Sequence, residues 1–259
     1  KLAELFSEAG LPDGVFNVIN GDKDVVNMIL KEKLISSISF VGSTPVAKYI
    51  YETSASHGKR VQALGGAKNH LVIMPDANLN QAVDGIIGAA YGSAGERCMA
   101  VSVAVAVGGI ADELVKKIAN KAQTLKVAPW TDSTSDMGPV ISNEHKEKIL
   151  KYIEIGQKEG AKLVLDGRNI NIQGYENGYF VGPTLFDNVN QHMQIYKDEI
   201  FGPVLSVVRA KDFDEALQLV NDHEFGNGVS IFTRDGDSGR TFSNKAKIGM
   251  VGINIPIPV

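Results

Sequence analysis

Short runs of β-branched residues recur along this chain between segments with helical apolar spacing. That alternation restricts the fold to an α/β arrangement, a parallel sheet with helices packed on it. Helices are expected over residues 2–9, 23–31 and 44–56, with VFNVI and SISFV between them. Farther on, NHLVIM, VSVAVAV, KLVLDG, FVGPTLF, PVLSVV, GVSIFT and GMVGINI read as strands, and helices are expected near 80–92, 111–125, 143–159, 213–222 and 237–247. No fixed-period repeat, low-complexity tract or Pro/Ser-rich linker interrupts this order, so any domain boundary lies within compact structure. The Gly-rich LGGAKN at 64–69 is the best place for one. The Gly- and Asn-rich stretch GRNINIQGYENGYF at 167–180 reads as a surface loop with hairpin-like turns.

Composition narrows the function. With 44% hydrophobic and 22% charged residues, the 259-residue chain can bury a real core and is far from a disordered composition. A net charge of -4 gives no electrostatic footprint for nucleic acid or an anionic membrane. The longest apolar run, around 101–109, is strand length, well short of the ~20 residues that span a bilayer. One cysteine cannot form an internal disulfide, which fits a reducing, intracellular setting. No His/Cys/Asp cluster has metal-ligand spacing. The chain starts at KLAELF without Met or a signal-peptide layout and stops at NIPIPV on a strand and turn, so flanking sequence is expected at both ends.

Three motifs can carry chemistry. Cys98 lies in GSAGERCMA, a small-residue turn followed by a β-branched run. A lone Cys is often a small buried hydrophobe, but Gly, Ser and charged neighbours argue for an accessible loop from which a thiolate can attack a carbonyl carbon. Activation would have to come from Arg97 or from backbone donors. FVGSTPVAK, at 40–48, is a strand ending in Gly-Ser-Thr and opening a helix at Pro45. Such a turn gathers unpaired N–H groups where a dinucleotide phosphate can bind, although Ser43 or Thr44 could equally be an ordinary N-cap, and the motif is not GxGxxG. EIFGPV, at 199–204, sets a carboxylate and a ring before a Gly-Pro turn. Glu199 could hold ribose hydroxyls while Phe201 packs on a flat ring; a solvated Glu beside a core Phe explains the same residues.

Taken in order, AGLPDGVFNVING, SFVGSTPVAK, GSAGERCMA, DMGPVIS, GYFVGPTLF, DEIFGPV and VGIN resemble the succession of motifs in the aldehyde dehydrogenase superfamily, from one end of the chain to the other. The resemblance implies a Rossmann-like cofactor domain of which residues 1–66 are the closing βα units, and a catalytic domain over 67–259. It implies that Cys98 is the nucleophile, forming a thiohemiacetal with the aldehyde, passing hydride to NAD and leaving a thioacyl enzyme. By the same resemblance Gly42 and Ser43 meet the NAD pyrophosphate, Glu199 and Phe201 hold the nicotinamide ribose, and Asn254 lines the way in for substrate. The family's second oxyanion donor, an Asn, belongs to a region N-terminal to this chain, as do the residues that separate NAD from NADP.

One departure is informative. Most hydrolytic members carry, in an ELGGK segment, a Glu that serves as general base for the deacylating water; here the segment is QALGGAKN, and the position falls on Leu64, or on Ala63 under a one-residue gap. Neither accepts a proton, so water attack on the thioester should be slow and coenzyme A becomes the natural acyl acceptor. GAKNH, AGERCMA, GYENGYFVGPT and VGINIPIPV further resemble the methylmalonate-semialdehyde dehydrogenase branch, which makes propionyl-CoA from methylmalonate semialdehyde or acetyl-CoA from malonate semialdehyde in valine and inositol catabolism. Arg97 matches that branch's binder of the substrate carboxylate, while a surface Arg is the plainer reading; His70 is expected to pack locally. The branch occurs in bacterial cytoplasm and in the mitochondrial matrix, as dimers or tetramers. A hydrolytic aldehyde dehydrogenase and an inactive fragment are the competing readings. A polypeptide of these 259 residues alone is expected to bind cofactor weakly and not to turn over.

Overall fold

The computed structural model describes residues 1–257; Pro258 and Val259, the last two residues of the VGINIPIPV motif, lie outside the described residues. The chain divides into two compact units, residues 1–66 and 67–259.

The first unit contains α1 (Leu2–Glu8), α2 (Lys23–Lys31), β1 (Ser37–Val41), α3 (Thr44–Ser56) and β2 (Arg60–Leu64). Strands β1 and β2 pair in parallel, from Ser37 opposite Arg60 to Val41 opposite Leu64. Parallel neighbours need a crossover, and α3 supplies it, burying Ala47, Ile50 and Ser54. Lys59 carries its ammonium to the carbonyls of Glu32 and Ile35, fixing the turn after α2. VFNVI, expected as a β-branched run between helices, forms no strand. A strand exists through a partner, and this unit offers only the β1–β2 pair; Val15, Val18 and Ile19 are exposed. Conversely β2, with its single β-branched residue, is set by pairing with β1 rather than by local pattern.

The second unit is a seven-stranded sheet in the order β5-β6-β7-β4-β3-β8-β9. Its elements in chain order are β3 (Asn69–Ile73), α4 (Leu79–Tyr91), β4 (Val101–Val107), α5 (Ala111–Ala122), α6 (Asn143–Lys158), β5 (Lys162–Leu165), β6 (Thr184–Val189), α7 (Gln194–Lys197), β7 (Val204–Ala210), α8 (Phe213–Asp222), β8 (Gly228–Phe232), α9 (Gly236–Lys245) and β9 (Met250–Ile253). Strands β3 and β8 are buried along their whole length, as near-continuous apolar runs in a helix-covered parallel sheet must be. Helices α4, α6, α8 and α9 start where Asn78, Ser142, Asp212 and Asp235 accept a backbone N–H from the first turn.

The sheet is not wholly parallel, as the alternation had implied: β5 runs antiparallel to β6. No helix lies between them, only the loop at 166–183, and a direct return without a crossover reverses the strand. No helix among the described residues is long and apolar enough to cross a membrane.

Candidate active site

Cys98 lies between the end of α4 and the start of β4, in a segment with unusual backbone. Ser93, Ala94 and Gly95 all take left-handed conformations, with φ of 50°, 54° and 70°. Glycine does so freely, but Ser93 and Ala94 are each disfavoured by about 1–2 kcal/mol and persist only where surrounding contacts over-determine them. Gly95 provides one such contact, since a methyl there would stand 2.2 Å from the carbonyl oxygen of Gly202. Residues 97–100 then form a turn closed by the Ala100 N–H donating to the Arg97 carbonyl at 3.0 Å. Cys98 and Met99 occupy its corners, and the thiol-bearing residue is exposed.

Cys98 borders a cavity of about 20 Å³ whose other walls include Arg97, Asn69, Glu199, Phe201 and Gly202. That volume admits about one water-sized group. Four candidates from two separate parts of the sequence, Arg97 and Cys98 with Glu199 and Phe201, are thus brought to one place. Arg97 is half-buried and donates from Nε to Ser93 Oγ at 3.0 Å, with its guanidinium lying against Gly92. Glu199 Oε1 accepts the Ala67 N–H at 2.9 Å, so the carboxylate is anchored rather than loose in solvent. Phe201 has φ 61°, a strained value for an aromatic residue. Its carbonyl accepts the His145 Nε2–H at 2.6 Å, and the same nitrogen lies 3.3 Å from the Glu96 carboxylate. His145 therefore bridges the thiol loop to the Phe201 loop. Burial holds the Glu96 carboxyl above its usual range.

Neighbouring residues hold this arrangement. Lys68, fully buried, donates to the carbonyls of Ile195 and Asp198 at 2.8 and 2.7 Å, just ahead of Glu199; desolvation pushes it down to about 7. His70 is also buried. Its Nδ1 donates to the Lys68 carbonyl at 2.8 Å, which leaves Nε2 an acceptor in the neutral ring, 3.0 Å from the Tyr196 hydroxyl, whose one proton has the Leu219 carbonyl at 3.2 Å as a second acceptor. Burial lowers its pKa to about 3, which suits a packing role.

Two candidate sets lie elsewhere. Gly42 and Ser43 belong to the first unit. Ser43 is the N-cap residue of α3, yet its exposed side chain makes no capping bond, so the leading N–H groups of this 13-residue helix are not taken by a side-chain cap. Asn254 borders a separate cleft with Thr233, Arg234 and Arg240. It too is left-handed, at φ 57°, and its Oδ1 accepts the Thr233 N–H at 2.9 Å. The side chain is committed to joining β9 to the end of β8.

Sequence reasoning did not single out Asn69 and Asn227. Both amides donate to the Cys98 carbonyl, at 2.9 and 3.1 Å. GGAKN and GNG contained the residues, but only the adjacency of β3 and β8 brings them to one atom. Among the described residues no group of three or more His, Cys, Asp or Glu is placed to hold a metal ion.

An exposed thiol on a strained loop leading into the central strand β4, with Arg, Glu and Phe around one small cavity, fits a family of thiol-dependent α/β enzymes, and the comparison with known proteins identifies it. The chain matches the aldehyde dehydrogenase family over residues 1–259, and it belongs to that family. It is 55% identical over its whole length to the malonate-semialdehyde dehydrogenase of Pseudomonas aeruginosa, covering 52% of that protein. Among solved structures it is similar to a Sinorhizobium meliloti protein assigned as a methylmalonate-semialdehyde dehydrogenase and complexed with NAD, with a TM-score of 0.98, 57% identity, all of this chain and 53% of that one. The methylmalonate-semialdehyde dehydrogenase of Oceanimonas doudoroffii is equally similar in fold, with a TM-score of 0.98 and 55% identity over all of this chain and 53% of its own. The α/β fold is that of the family. The chain spans about half the length of the relatives it matches.

Proposed function

We propose that the protein of which this chain is part oxidises methylmalonate or malonate semialdehyde to propionyl-CoA or acetyl-CoA, with loss of carbon dioxide, through a thioester on Cys98. The observation that carries the reading is that Cys98 and Arg97 border one cavity with Glu199 and Phe201, in a chain more than half identical to a malonate-semialdehyde dehydrogenase.

NAD, when bound, accepts the hydride. The residues suit it. The α3 N-terminus, which follows Gly42 and Ser43, offers leading N–H groups without a side-chain cap for a pyrophosphate, and the anchored Glu199 carboxylate can accept ribose hydroxyl protons beside the Phe201 ring. The Cys98 sulfur attacks the aldehyde carbon, forming a C–S bond and a thiohemiacetal oxyanion that the Cys98 N–H can support. Hydride departure from that carbon leaves the thioester. Arg97, with Nε committed to Ser93, presents its Nη atoms to the substrate carboxylate and holds the 3-oxoacyl group until its C–C bond breaks; carbon dioxide leaves, the electron pair remains as the thioester enolate, and a proton from water restores the propionyl or acetyl thioester. Coenzyme A thiolate then attacks the thioester and the Cys98 thiolate departs. Leu64 and Ala63, at the end of β2, offer no proton acceptor for a competing water. Asn254 could serve substrate only from the separate cleft it borders. Homodimers or tetramers, in the bacterial cytoplasm or the mitochondrial matrix, are part of the same reading.

The test is turnover of malonate semialdehyde with NAD by the full-length polypeptide, with and without coenzyme A, identifying products by mass. Acetyl-CoA and carbon dioxide, formed only when coenzyme A is present, support the reading. Free malonate formed equally fast without it would put a hydrolytic aldehyde dehydrogenase in its place.

A further inference from the structure

The turn that carries Cys98 has one peptide whose orientation its closing hydrogen bond does not set. The Ala100 N–H to Arg97 carbonyl bond joins the turn's ends, while the central peptide, between Cys98 and Met99, can in principle rotate between the two common turn types. Its carbonyl is that of Cys98, and both acceptor positions of that oxygen are filled: by Asn69 Nδ2 at 2.9 Å and by Asn227 Nδ2 at 3.1 Å. Asn69 is 2% exposed and fully engaged. Its second N–H goes to the Ala100 carbonyl at 2.9 Å, and its Oδ1 accepts the Gly228 N–H at 3.0 Å. These partners also assign the amide's orientation, since Nδ2 faces two carbonyls and Oδ1 an N–H. Asn69 opens β3, and Asn227 immediately precedes β8, so the clamp is built on the sheet rather than on the loop.

We infer that Asn69 and Asn227 are positioning residues for the nucleophile: they lock the Cys98–Met99 peptide, and with it the ψ of Cys98 and the direction of the Met99 N–H beside the thiol during acyl transfer. Because the peptide is trans, holding its carbonyl against the two amides directs the Met99 N–H the opposite way. The alternative orientation would place Met99 at positive φ, whereas neither Cys98 nor Met99 has positive φ here. The inference rests on Cys98 being the nucleophile but not on which aldehyde is oxidised.

The experiment uses p-nitrophenyl acetate, which needs no cofactor, on the full-length polypeptide. The Cys98 sulfur bonds to the acetyl carbon, the ester C–O bond breaks, and p-nitrophenolate leaves in a burst. In parallel, Cys98 alkylation by iodoacetamide, a displacement that develops no oxyanion, is followed by peptide mass. Asn227→Ala is expected to slow the burst about tenfold while alkylation changes less than about twofold, since only a well-oriented thiol benefits from positioning. Asn227→Asp, which replaces the donor with a second acceptor, should lose more. Asn69→Asp should behave likewise and, being buried, also lower the melting temperature. Unchanged bursts in both Asn227 variants would overturn the inference, as would equal losses in burst and alkylation, which report general disorder of the loop. A wild-type protein with no burst would overturn it too. A burst that survives in Cys98→Ala would instead remove the nucleophile reading beneath it.

Discussion

Gly95 and Gly202 meet backbone to backbone at a separation that excludes any side chain: a Cβ on Gly95 would stand 2.2 Å from the Gly202 carbonyl oxygen and 2.5 Å from its carbon. The obstacle is main chain and cannot swing aside, and Gly95 is also left-handed at φ 70°. Gly95→Ala is therefore expected to cost about 2–4 kcal/mol in urea unfolding, combining overpacking with the left-handed penalty. Gly202→Ala meets the buried Ile149 side chain instead, with Cδ1 and Cγ1 at 2.5 and 2.7 Å; a side chain can shift where main chain cannot, so the cost should be about half as much. Equal costs for the two variants would contradict this account of the contact.

Arg97 should discriminate by charge. Arg97→Gln is expected to raise KM for malonate semialdehyde about 10- to 100-fold, the size of a lost charge-assisted hydrogen bond. An uncharged aldehyde such as propanal should change less than about twofold. If both substrates suffer alike, the guanidinium shapes the loop through Ser93 and does not read a carboxylate.

Acid should weaken the second unit. His70 drops from 6.5 to about 3 through burial, and His223, whose ring lies 5.1 Å away, is also lowered. A base with a folded pKa below its unfolded value binds protons preferentially when unfolded. Stability is then complete above about pH 6.5 and declines as pH falls toward 3, by up to about 1.4 kcal/mol per pH unit for each such group. Urea midpoints at pH 7, 6 and 5 would follow the decline. His70→Phe, though less stable at pH 7 for want of two hydrogen bonds, should show a flatter acid slope; an identical slope would assign the titration to other groups.

The ion-pair cluster on β6 and β7 should respond unequally to its members. Asp187, 1% exposed, accepts from Arg209 Nε at 3.1 Å and Nη2 at 2.7 Å, while the partner carboxylate of Asp112 is largely in solvent. Arg209→Met strands a buried carboxylate and is expected to lose about 3–5 kcal/mol. Asp112→Asn should leave the denaturation midpoint nearly unchanged. Similar losses in the two variants would show that the exposed pair, not the buried one, carries the stability.

Much of the fold was legible because burial on a helix-covered sheet writes itself into composition: VSVAVAV and GVSIFT could be little else than central strands. The misreadings share a cause. VFNVI has strand composition without a partner, β2 has a partner without strand composition, and β5 reverses because no crossover helix follows it. The site divides the same way. Cys98, Arg97, Glu199 and Phe201 stood out through motifs, each within a short local context. Asn69, Asn227 and His145 act through atoms 29, 129 and 56 positions away, and such distances carry no local signal. Asn254 illustrates the converse: a recognisable motif residue whose side chain serves the β8–β9 junction.

The left-handed run at Ser93, Ala94 and Gly95 bears on what holds the Cys98 loop in shape. An isolated peptide of this sequence would seldom visit that conformation, so nothing local nucleates it. What sustains it is the close approach of the Gly202 main chain to Gly95. The shape of the loop that bears Cys98 is thus imposed by main chain remote in sequence, and the same segment cut out of the fold would carry that thiol on an ordinary flexible turn.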